Sequence, residues 1–207
     1  MEEIMSRELV SIGTEDTLAR AWELIRQRRI RHLPVVEGTA LVGILSDRDL
    51  RDASPSVLEL RSRDFLEGTP VRTIMRPEVI TLHPLETIEE AARLLYEHRI
   101  GCLPVVSRGE LVGIVTETDI LRSLVRMLGA DRPGSHLEVA VPDRPGMLAE
   151  IAGMIKNHQV NISSVLTTPG QQEREKLLVF RLEIMDLRKI IKDIESAGYQ
   201  VRQPLSR

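Results

Sequence analysis

Two copies of one polar motif are the strongest candidates for binding chemistry in this sequence. They are Ser46-Asp47-Arg48-Asp49 and Thr116-Glu117-Thr118-Asp119, and each follows an apolar Leu-Val-Gly-Ile run. A hydroxyl residue between a strand and a helix, with an Asp three positions later, suits a sugar and a phosphate. The N–H groups at the helix start favour an anion, and the Asp can accept hydrogen bonds from vicinal ribose hydroxyls. The motif also resembles a capping box, which needs no ligand, so both interpretations stay open here.

The motif belongs to a longer internal repeat. Residues 4–51 align with 74–121 without a gap, and about a third of the positions are identical. The offset is constant, since Gly43 and Gly113 are 70 residues apart (113 − 43). We expect Gly113 to let its strand approach a flat base closely, because glycine has no Cβ. A repeat of this kind indicates two similar units, each too small to bury its own sheet, that pack together.

Each copy predicts the same elements in the same order. A short strand precedes an amphipathic helix whose apolar face carries Leu18, Ala21, Trp22 and Ile25, with Ile88, Ala91, Ala92 and Leu95 as counterparts. Two apolar strands joined at Gly38 or Gly109 follow, and a helix from Asp47 or Glu117 closes the unit. The predicted strands are 9–12, 33–36 and 41–45, then 79–82 and the equivalents of the hairpin. Residues 52–72 connect the copies, and 57–66 could form one short helix.

The sequence after Leu128 has a different pattern. A Gly- and Pro-containing linker leads into alternating strand and helix signals, with an apolar helix face of Leu148, Ile151, Met154 and Ile155. The predicted elements are strand 136–141, helix 147–158, strand 160–165, polar loop 167–175, strand 177–184, helix 187–197 and strand 199–201. The order βαββαβ is the ferredoxin-like arrangement, with helices on one face of an antiparallel sheet.

Composition narrows the class of function. The chain has 207 residues, a net charge of −3 and only 2% aromatic residues, which argues against direct nucleic-acid binding. The one cysteine, Cys102, lies in an apolar strand and is expected to be a buried small hydrophobe. The sequence offers no metal ligands at suitable spacing, no catalytic constellation and no membrane-spanning run. We therefore expect a cytoplasmic protein that is not an enzyme, needs no cofactor and does not bind membranes.

These motifs resemble two known families. The duplicated Ile-Met, Leu-Pro-Val-Val and Leu-Val-Gly-Ile-x-Ser/Thr-x-x-Asp segments resemble a tandem pair of CBS domains, or Bateman module. Asp-Arg-Pro-Gly-Met-Leu at 143–148 and Val-Asn-Ile-Ser-Ser at 160–164 resemble an ACT domain. The implied fold class is therefore α/β and α+β. The order CBS-CBS-ACT is similar to the AcuB family of acetoin-utilisation proteins. The predicted division is CBS 1–55, linker 56–73, CBS 74–128, linker 129–135 and ACT 136–207.

The CBS resemblance implies an adenine nucleotide (AMP, ADP or ATP) or S-adenosylmethionine as a regulatory ligand between the copies. Thr116 and Asp119 would then face Arg31 and His32, whereas Ser46 and Asp49 would face Gly101 and Cys102. Arginine forms charge-assisted hydrogen bonds with phosphate, so we predict that the Thr116–Asp119 site is the stronger one. Contacts to the adenine edge are implied by resemblance for Ile80 and Thr81, with Val10 and Ser11 in the other copy.

The ACT resemblance implies either a dimerisation surface or an amino-acid site between two such domains. Asp143 and Gly146 in the strand-to-helix turn, with Asn161 at the next strand, occupy the family's ligand-binding positions. The same turn could serve only to start a helix. The predicted protein is a homodimeric regulator of a partner metabolic enzyme. Alternatives are a non-catalytic subunit of an enzyme complex and a transcriptional regulator that acts through a partner.

Overall fold

The computed structural model describes residues 1–53 and 61–202, without the side chains of 61–63, and forms two compact units, Met1–Leu121 and Arg122–Arg207. The first unit holds both copies of the repeat around one five-stranded sheet of order β1-β2-β3-β5-β4. Its strands are β1 (Ile12–Gly13), β2 (His32–Glu37), β3 (Ala40–Ser46), β4 (Cys102–Ser107) and β5 (Glu110–Thr116). Its helices are α1 (Leu18–Arg28), α2 (Asp47–Ala53), α3 (Arg61–Gly68), α4 (Ile88–His98) and α5 (Glu117–Met127), the last continuing past the unit's end.

Local signals explain where the main helices begin. Thr17 precedes α1 and its hydroxyl accepts a hydrogen bond from the Arg20 amide at 3.2 Å. Thr87 does the same for α4 through the Glu90 amide at 3.3 Å. Both caps satisfy an N–H group that the helix leaves unpaired. The predicted helix starts are therefore confirmed in both copies.

The hairpins place the two polar motifs at the ends of their second strands. Strand β2 pairs antiparallel with β3, and β4 pairs with β5 in the same register, so that His32 opposes Ser46 and Cys102 opposes Thr116. Each copy keeps its own core: Leu18, Leu33, Leu45 and Leu50 are fully buried in one, and Leu103, Val105 and Val115 in the other. The hydrophobic alternation along these strands therefore sets the register that presents the motifs.

The Ile-Met segment of each copy packs against the other copy. Ile74 and Met75 pack on the core of the first copy, and Ile4 and Met5 pack on the core of the second. The exchange is fixed by backbone bridges between Ser6 and Ile114 and between Ile44 and Arg76. Two copies that exchange segments in this way depend on each other for their cores, which is why the pair forms one compact unit.

The second unit contains the predicted ferredoxin-like sheet. Its strands are β6 (Ser135–Pro142), β7 (Ile162–Pro169), β8 (Glu175–Leu182) and β9 (Gln200–Arg202), in the order β7-β8-β6-β9 with every pair antiparallel. Helices α6 (Met147–Asn157) and α7 (Arg188–Ser196) cover the apolar face, where Phe180, Ile151 and Ile190 are almost fully buried.

The structure corrects several predicted elements. The strand expected at 9–12 is observed only as the two-residue β1, and the one expected at 79–82 only as a single bridge between Leu82 and Val105. In both cases only the end of the segment reaches the neighbouring hairpin. The polar loop expected at 167–175 is shorter, since β7 runs to Pro169 and Glu175 accepts backbone hydrogen bonds that tighten the turn. Leu148 is 41% exposed and Met147 takes its place in the core. The expected linker helix at 57–66 is seen from Arg61, and its first part lies outside the described residues.

Candidate functional site

A cavity of about 350 Å³ lies in the first unit at the N-terminal ends of α2 and α5. This volume is within the range of small-molecule sites. Its lining combines residues from both copies, including Ser46 and Asp49 from the first and Ile80 from the second. The lining residues are Arg31, His32, Ile44, Ser46, Asp47, Arg48, Asp49, Arg76, Glu78, Val79, Ile80, Arg99, Ile100, Gly101, Cys102 and Glu117. Because both copies contribute to the lining, one repeat unit alone cannot form this cavity.

Asp49 is the most extensively bonded carboxylate in the cavity. Its Oδ2 accepts hydrogen bonds from the Ser46 amide at 2.9 Å and from the Ser46 hydroxyl. Its Oδ1 accepts from Arg76 Nη2 at 2.8 Å and from Arg76 Nε at 3.2 Å. Burial opposes ionisation, but the hydrogen bonds from Ser46 and Arg76 outweigh it and hold the pKa of Asp49 below its usual value. Asp49 is therefore ionised at neutral pH, the state in which its carboxylate accepts hydrogen bonds.

The cavity lining holds four arginines and four carboxylates, and only Arg31 among the arginines was predicted as a site residue. Arg76 comes from the segment that crosses over to β3, and Arg99 occupies the left-handed position that ends α4. Arg31 and Arg48 line the same space. The sequence contained one indication of Arg76. Directly after the repeated Ile-Met pair, the first copy has the uncharged Ser6 and the second copy has Arg76. Guanidinium groups in a cavity with a helix N-terminus favour an anionic group on a ligand.

His32 and Cys102 do not behave as charged groups. Burial, reinforced by the charge of Arg31, lowers the pKa of His32, so its imidazole is neutral at neutral pH. It was expected as a basic phosphate contact, but it can contribute a hydrogen bond without a charge. Burial, with the charge of Glu117 as a smaller cause, raises the pKa of the Cys102 thiol to about 12. Cys102 is 6% exposed and packs as the small hydrophobe that the sequence indicated.

The cavity brings the predicted basic groups together with the first motif. Arg31 and His32 were assigned to face Thr116 and Asp119, yet they line the cavity that contains Ser46 and Asp49. Although β3 and β5 separate β2 from β4 in the sheet, the His32 side chain reaches the start of β4: a Cβ on Gly101 would lie 2.7 Å from His32 Cε1. Arg31, His32, Gly101 and Cys102 therefore border one space and do not separate into two facing pairs.

The Thr116–Asp119 motif repeats the local geometry of its twin. Asp119 Oδ2 accepts from the Thr116 amide at 3.0 Å and from the Thr116 hydroxyl at 2.7 Å. These two residues do not line the described cavity, and neither do Thr81, Val10 and Ser11. In both copies the hydroxyl also accepts from the Asp amide, so the capping geometry is present whether or not a ligand binds.

Gly113 has a different role from the one expected. A Cβ at this position would lie 2.5 Å from Met5 Sδ, so Met5 occupies the space that a base was expected to use. Gly43 has the same relation to Met75, at 2.7 Å from Sδ. The glycines of the repeat therefore accommodate the exchanged Ile-Met segments.

The expected amino-acid ligands of the second unit lie at opposite ends of its sheet. Pro142, next to Asp143, is paired with Glu175 at the start of β8, whereas Ile162, next to Asn161, is paired with Leu182 at its end. At about 3.3 Å per residue these ends are roughly 23 Å apart. Asp143 pairs with Lys176 at 2.7 Å, and Asn161 donates to Glu183 at 3.2 Å. A site that uses both residues therefore needs two copies of the chain. Gly146 adopts a φ of 94° at the start of α6, which suits glycine.

Among the described residues, no group of three or more His, Cys, Asp or Glu side chains is placed to hold a metal ion. Within the same residues, no helix is long and apolar enough to cross a membrane.

Comparison with known proteins supports the assignment made from the repeat. The CBS domain model matches residues 1–56 and 71–126, and the ACT domain model matches 135–198. A CBS domain-containing protein of Dictyostelium discoideum is 35% identical over 141 residues, which covers 65% of this chain and 97% of the relative.

Solved structures of CBS pairs are also similar to this chain. A Vibrio cholerae protein described as an acetoin utilization protein (AcuB) has 32% identity and a TM-score of 0.54, covering 64% of this chain and 96% of its own. The CBS pair of protein MJ0100, solved with methylthioadenosine and S-adenosylmethionine, has 27% identity and a TM-score of 0.52, covering 63% and 96%. CBSX2, solved with AMP, has 26% identity and a TM-score of 0.53, covering 61% and 96%.

The exchanged repeat with its shared cavity, the ferredoxin-like sheet and the matches to both domain models agree with one another. This chain belongs to the family of proteins that carry a tandem pair of CBS domains, here followed by an ACT domain.

Proposed function

We propose that this protein is a regulatory sensor that binds an adenine nucleotide or a related adenosyl compound in the cavity around Asp49. One observation carries the proposal: a single cavity of about 350 Å³ contains the ionised Asp49, the hydroxyl of Ser46 and several arginines. The CBS pairs of MJ0100 and CBSX2, which bind adenosyl ligands, support the choice of ligand class.

Each part of such a ligand has a matching group. Asp49 would accept the ribose hydroxyls, and the start of α2 with Ser46 would face a phosphate or ribose oxygen. Ile80, with Thr81 next to it, would contact the adenine edge. Arg31 and Arg99 would neutralise phosphate, with His32 as a neutral hydrogen-bond donor.

The second motif is proposed as a second, independent site. Thr116 and Asp119 would hold the ribose, with Val10 and Ser11 at the adenine edge by analogy with Ile80 and Thr81. We expected this site to be the stronger one on the basis of Arg31 and His32. Because those residues border the Asp49 cavity, the proposed order is reversed, with Asp49 forming the stronger site.

The proposed outcome of binding is control of a partner metabolic enzyme. A ligand that bridges both copies stabilises one arrangement of them and so changes the surface that a partner meets. Similarity to the AcuB protein of Vibrio cholerae favours a role in acetoin utilisation as the specific process. A non-catalytic subunit of an enzyme complex and a transcriptional regulator that acts through a partner are the alternatives.

For the ACT domain we propose homodimerisation, with an amino acid as a possible ligand at the interface. The separation of Asp143 and Asn161 along β8 supports this, because only two copies could bring them to one ligand. The Asp143–Lys176 ion pair already neutralises the carboxylate that would meet an ammonium group. Dimerisation is therefore the first of the two roles to test.

A thermal-shift screen tests the ligand class. The panel is AMP, ADP, ATP, S-adenosylmethionine, NADH and the common amino acids. A ligand at 100 times its dissociation constant stabilises by about 2.7 kcal/mol, which corresponds to roughly 5–10 °C for a chain of this size. We expect a shift of this order with at least one adenosyl compound. No shift with any of them would contradict the proposed function.

A further inference from the structure

The Arg76–Asp49 ion pair uses the oxygen atoms that a ribose would need. A carboxylate has about four lone-pair positions for hydrogen bonds. Asp49 uses two on Oδ2 for Ser46 and two on Oδ1 for Arg76. A ribose diol that binds Asp49 must therefore displace one of these two partners.

Arg76 is the partner that can leave. Ser46 lies three residues from Asp49 in the same turn, and its amide and hydroxyl are held by the strand-to-helix geometry. The Arg76 side chain is 65% exposed, while that of Asp49 is 14% exposed. The Arg76 backbone is fixed on β3 by bonds with Ile44 in both directions, at 2.9 and 3.0 Å. The guanidinium can therefore swing within the cavity while its anchor stays in place.

A displaced guanidinium needs a new anion. A 5′-phosphate supplies one with the geometry for two parallel hydrogen bonds. A 5′-hydroxyl supplies no charge. The ion pair thus opposes every ligand that takes Asp49, and adenosine, which has no anionic group, does not offset the loss.

We propose that Arg76 determines specificity at the Asp49 cavity, selecting adenosine ligands with a 5′-phosphate over adenosine. This inference rests on the proposed function of the cavity. The position of Arg76 is specific to one copy of the repeat: its twin is Ser6, which makes the equivalent backbone bridge to Ile114 but has no charge. The repeat therefore supplies its own matched substitution, Arg76→Ser.

Calorimetric titration of AMP and adenosine into the full-length chain tests the inference, because the two ligands differ only in the phosphate. Wild type should bind AMP more tightly than adenosine. In Arg76→Ser that preference should fall by about 10- to 100-fold, the range for a hydrogen bond between charged groups. Adenosine should bind the variant as well as wild type or better, because Asp49 is released. Arg76→Lys, which keeps the charge but not the paired donors, should lie between the two.

The controls separate the two proposals. Ser6→Arg changes the twin position and should leave the preference for AMP at the Asp49 cavity unchanged. If Arg76→Ser leaves the ratio of the AMP and adenosine affinities unchanged, the specificity role is overturned. The proposal that the cavity binds a nucleotide would still stand. Wild-type protein that binds neither AMP nor adenosine would overturn the specificity role, whereas the proposed function fails only if no adenosyl compound of the thermal-shift panel binds. The melting temperature of each variant without ligand verifies that it is folded.

Discussion

Gly113 and Met5 form the contact through which the second copy holds the exchanged Ile-Met segment. In Gly113→Ala the new Cβ would lie 2.5 Å from Met5 Sδ and 3.0 Å from Cγ, so the thioether must move. Overpacking of this kind costs about 1–3 kcal/mol. Replacing glycine by alanine where the backbone permits it contributes about 0.4–1 kcal/mol in the opposite direction. We therefore expect a net destabilisation of about 1–2 kcal/mol.

The sign of the effect depends on Met5. In a Met5→Ala background the Sδ and Cγ atoms are gone and only a Cβ at 3.2 Å remains, a contact that a small shift relieves. Gly113→Ala should then be neutral or slightly stabilising. The four proteins form a double-mutant cycle with an expected coupling of about 1–3 kcal/mol.

Urea unfolding followed by Trp22 fluorescence measures the cycle. Trp22 is the only tryptophan and packs against the core of the first copy, which shares the exchanged segments with the second. Gly43→Ala in the Met5→Ala background is the control, since its nearest neighbours are Met75 and the Arg76 carbonyl. Its cost should be the same with and without Met5. If Gly113→Ala costs as much in Met5→Ala as in wild type, the exchange of Ile-Met segments is refuted.

Three further predictions follow from burial and local hydrogen bonds. Thr17→Ala and Thr87→Ala should each cost about 1 kcal/mol in urea unfolding, because each removes a helix cap; Ser at either position should restore most of it. Cys102 should resist alkylation in the native protein at pH 8 and react only on unfolding, since burial raises its pKa to about 12; rapid native-state labelling would contradict this. The pKa of His32 is lowered in the folded state. The stability that the neutral, buried imidazole contributes is therefore fully present above pH 6.5 and is lost as the pH falls through the folded pKa. Wild type should therefore lose more stability than His32→Asn between pH 7 and 5, and equal losses would count against the burial of this imidazole.

Features set by local sequence were predicted correctly. The threonine caps, the two hairpins and the helix starts at Asp47 and Glu117 depend on residues only a few positions apart. The βαββαβ order of the second unit followed from hydrophobic periodicity in the same way. Hydrophobic periodicity indicates which face of one helix or strand is buried, and this local information is sufficient to predict these features.

Features set by contacts between the copies were not predicted. Gly113 was assigned to a base because nothing in its own strand indicates that Met5, more than a hundred residues earlier, fills the space. The sequence also did not indicate that Arg31 and His32 border the cavity of Ser46 and Asp49, because the approach of the starts of β2 and β4 depends on how the copies meet. The neutral state of His32 depends on burial, which the strand pattern alone does not reveal.

Titration of AMP into wild type, Asp49→Asn and Asp119→Asn by calorimetry tests the central claim most directly. Both variants remove one carboxylate charge from equivalent turns of the repeat, so each is the control for the other. We predict that Asp49→Asn weakens the tighter binding event at least about tenfold, as expected for loss of a charged hydrogen-bond partner. Asp119→Asn should leave that event in place. Unchanged binding in Asp49→Asn, or loss of the tighter event in Asp119→Asn alone, would contradict the assignment of the nucleotide to the Asp49 cavity.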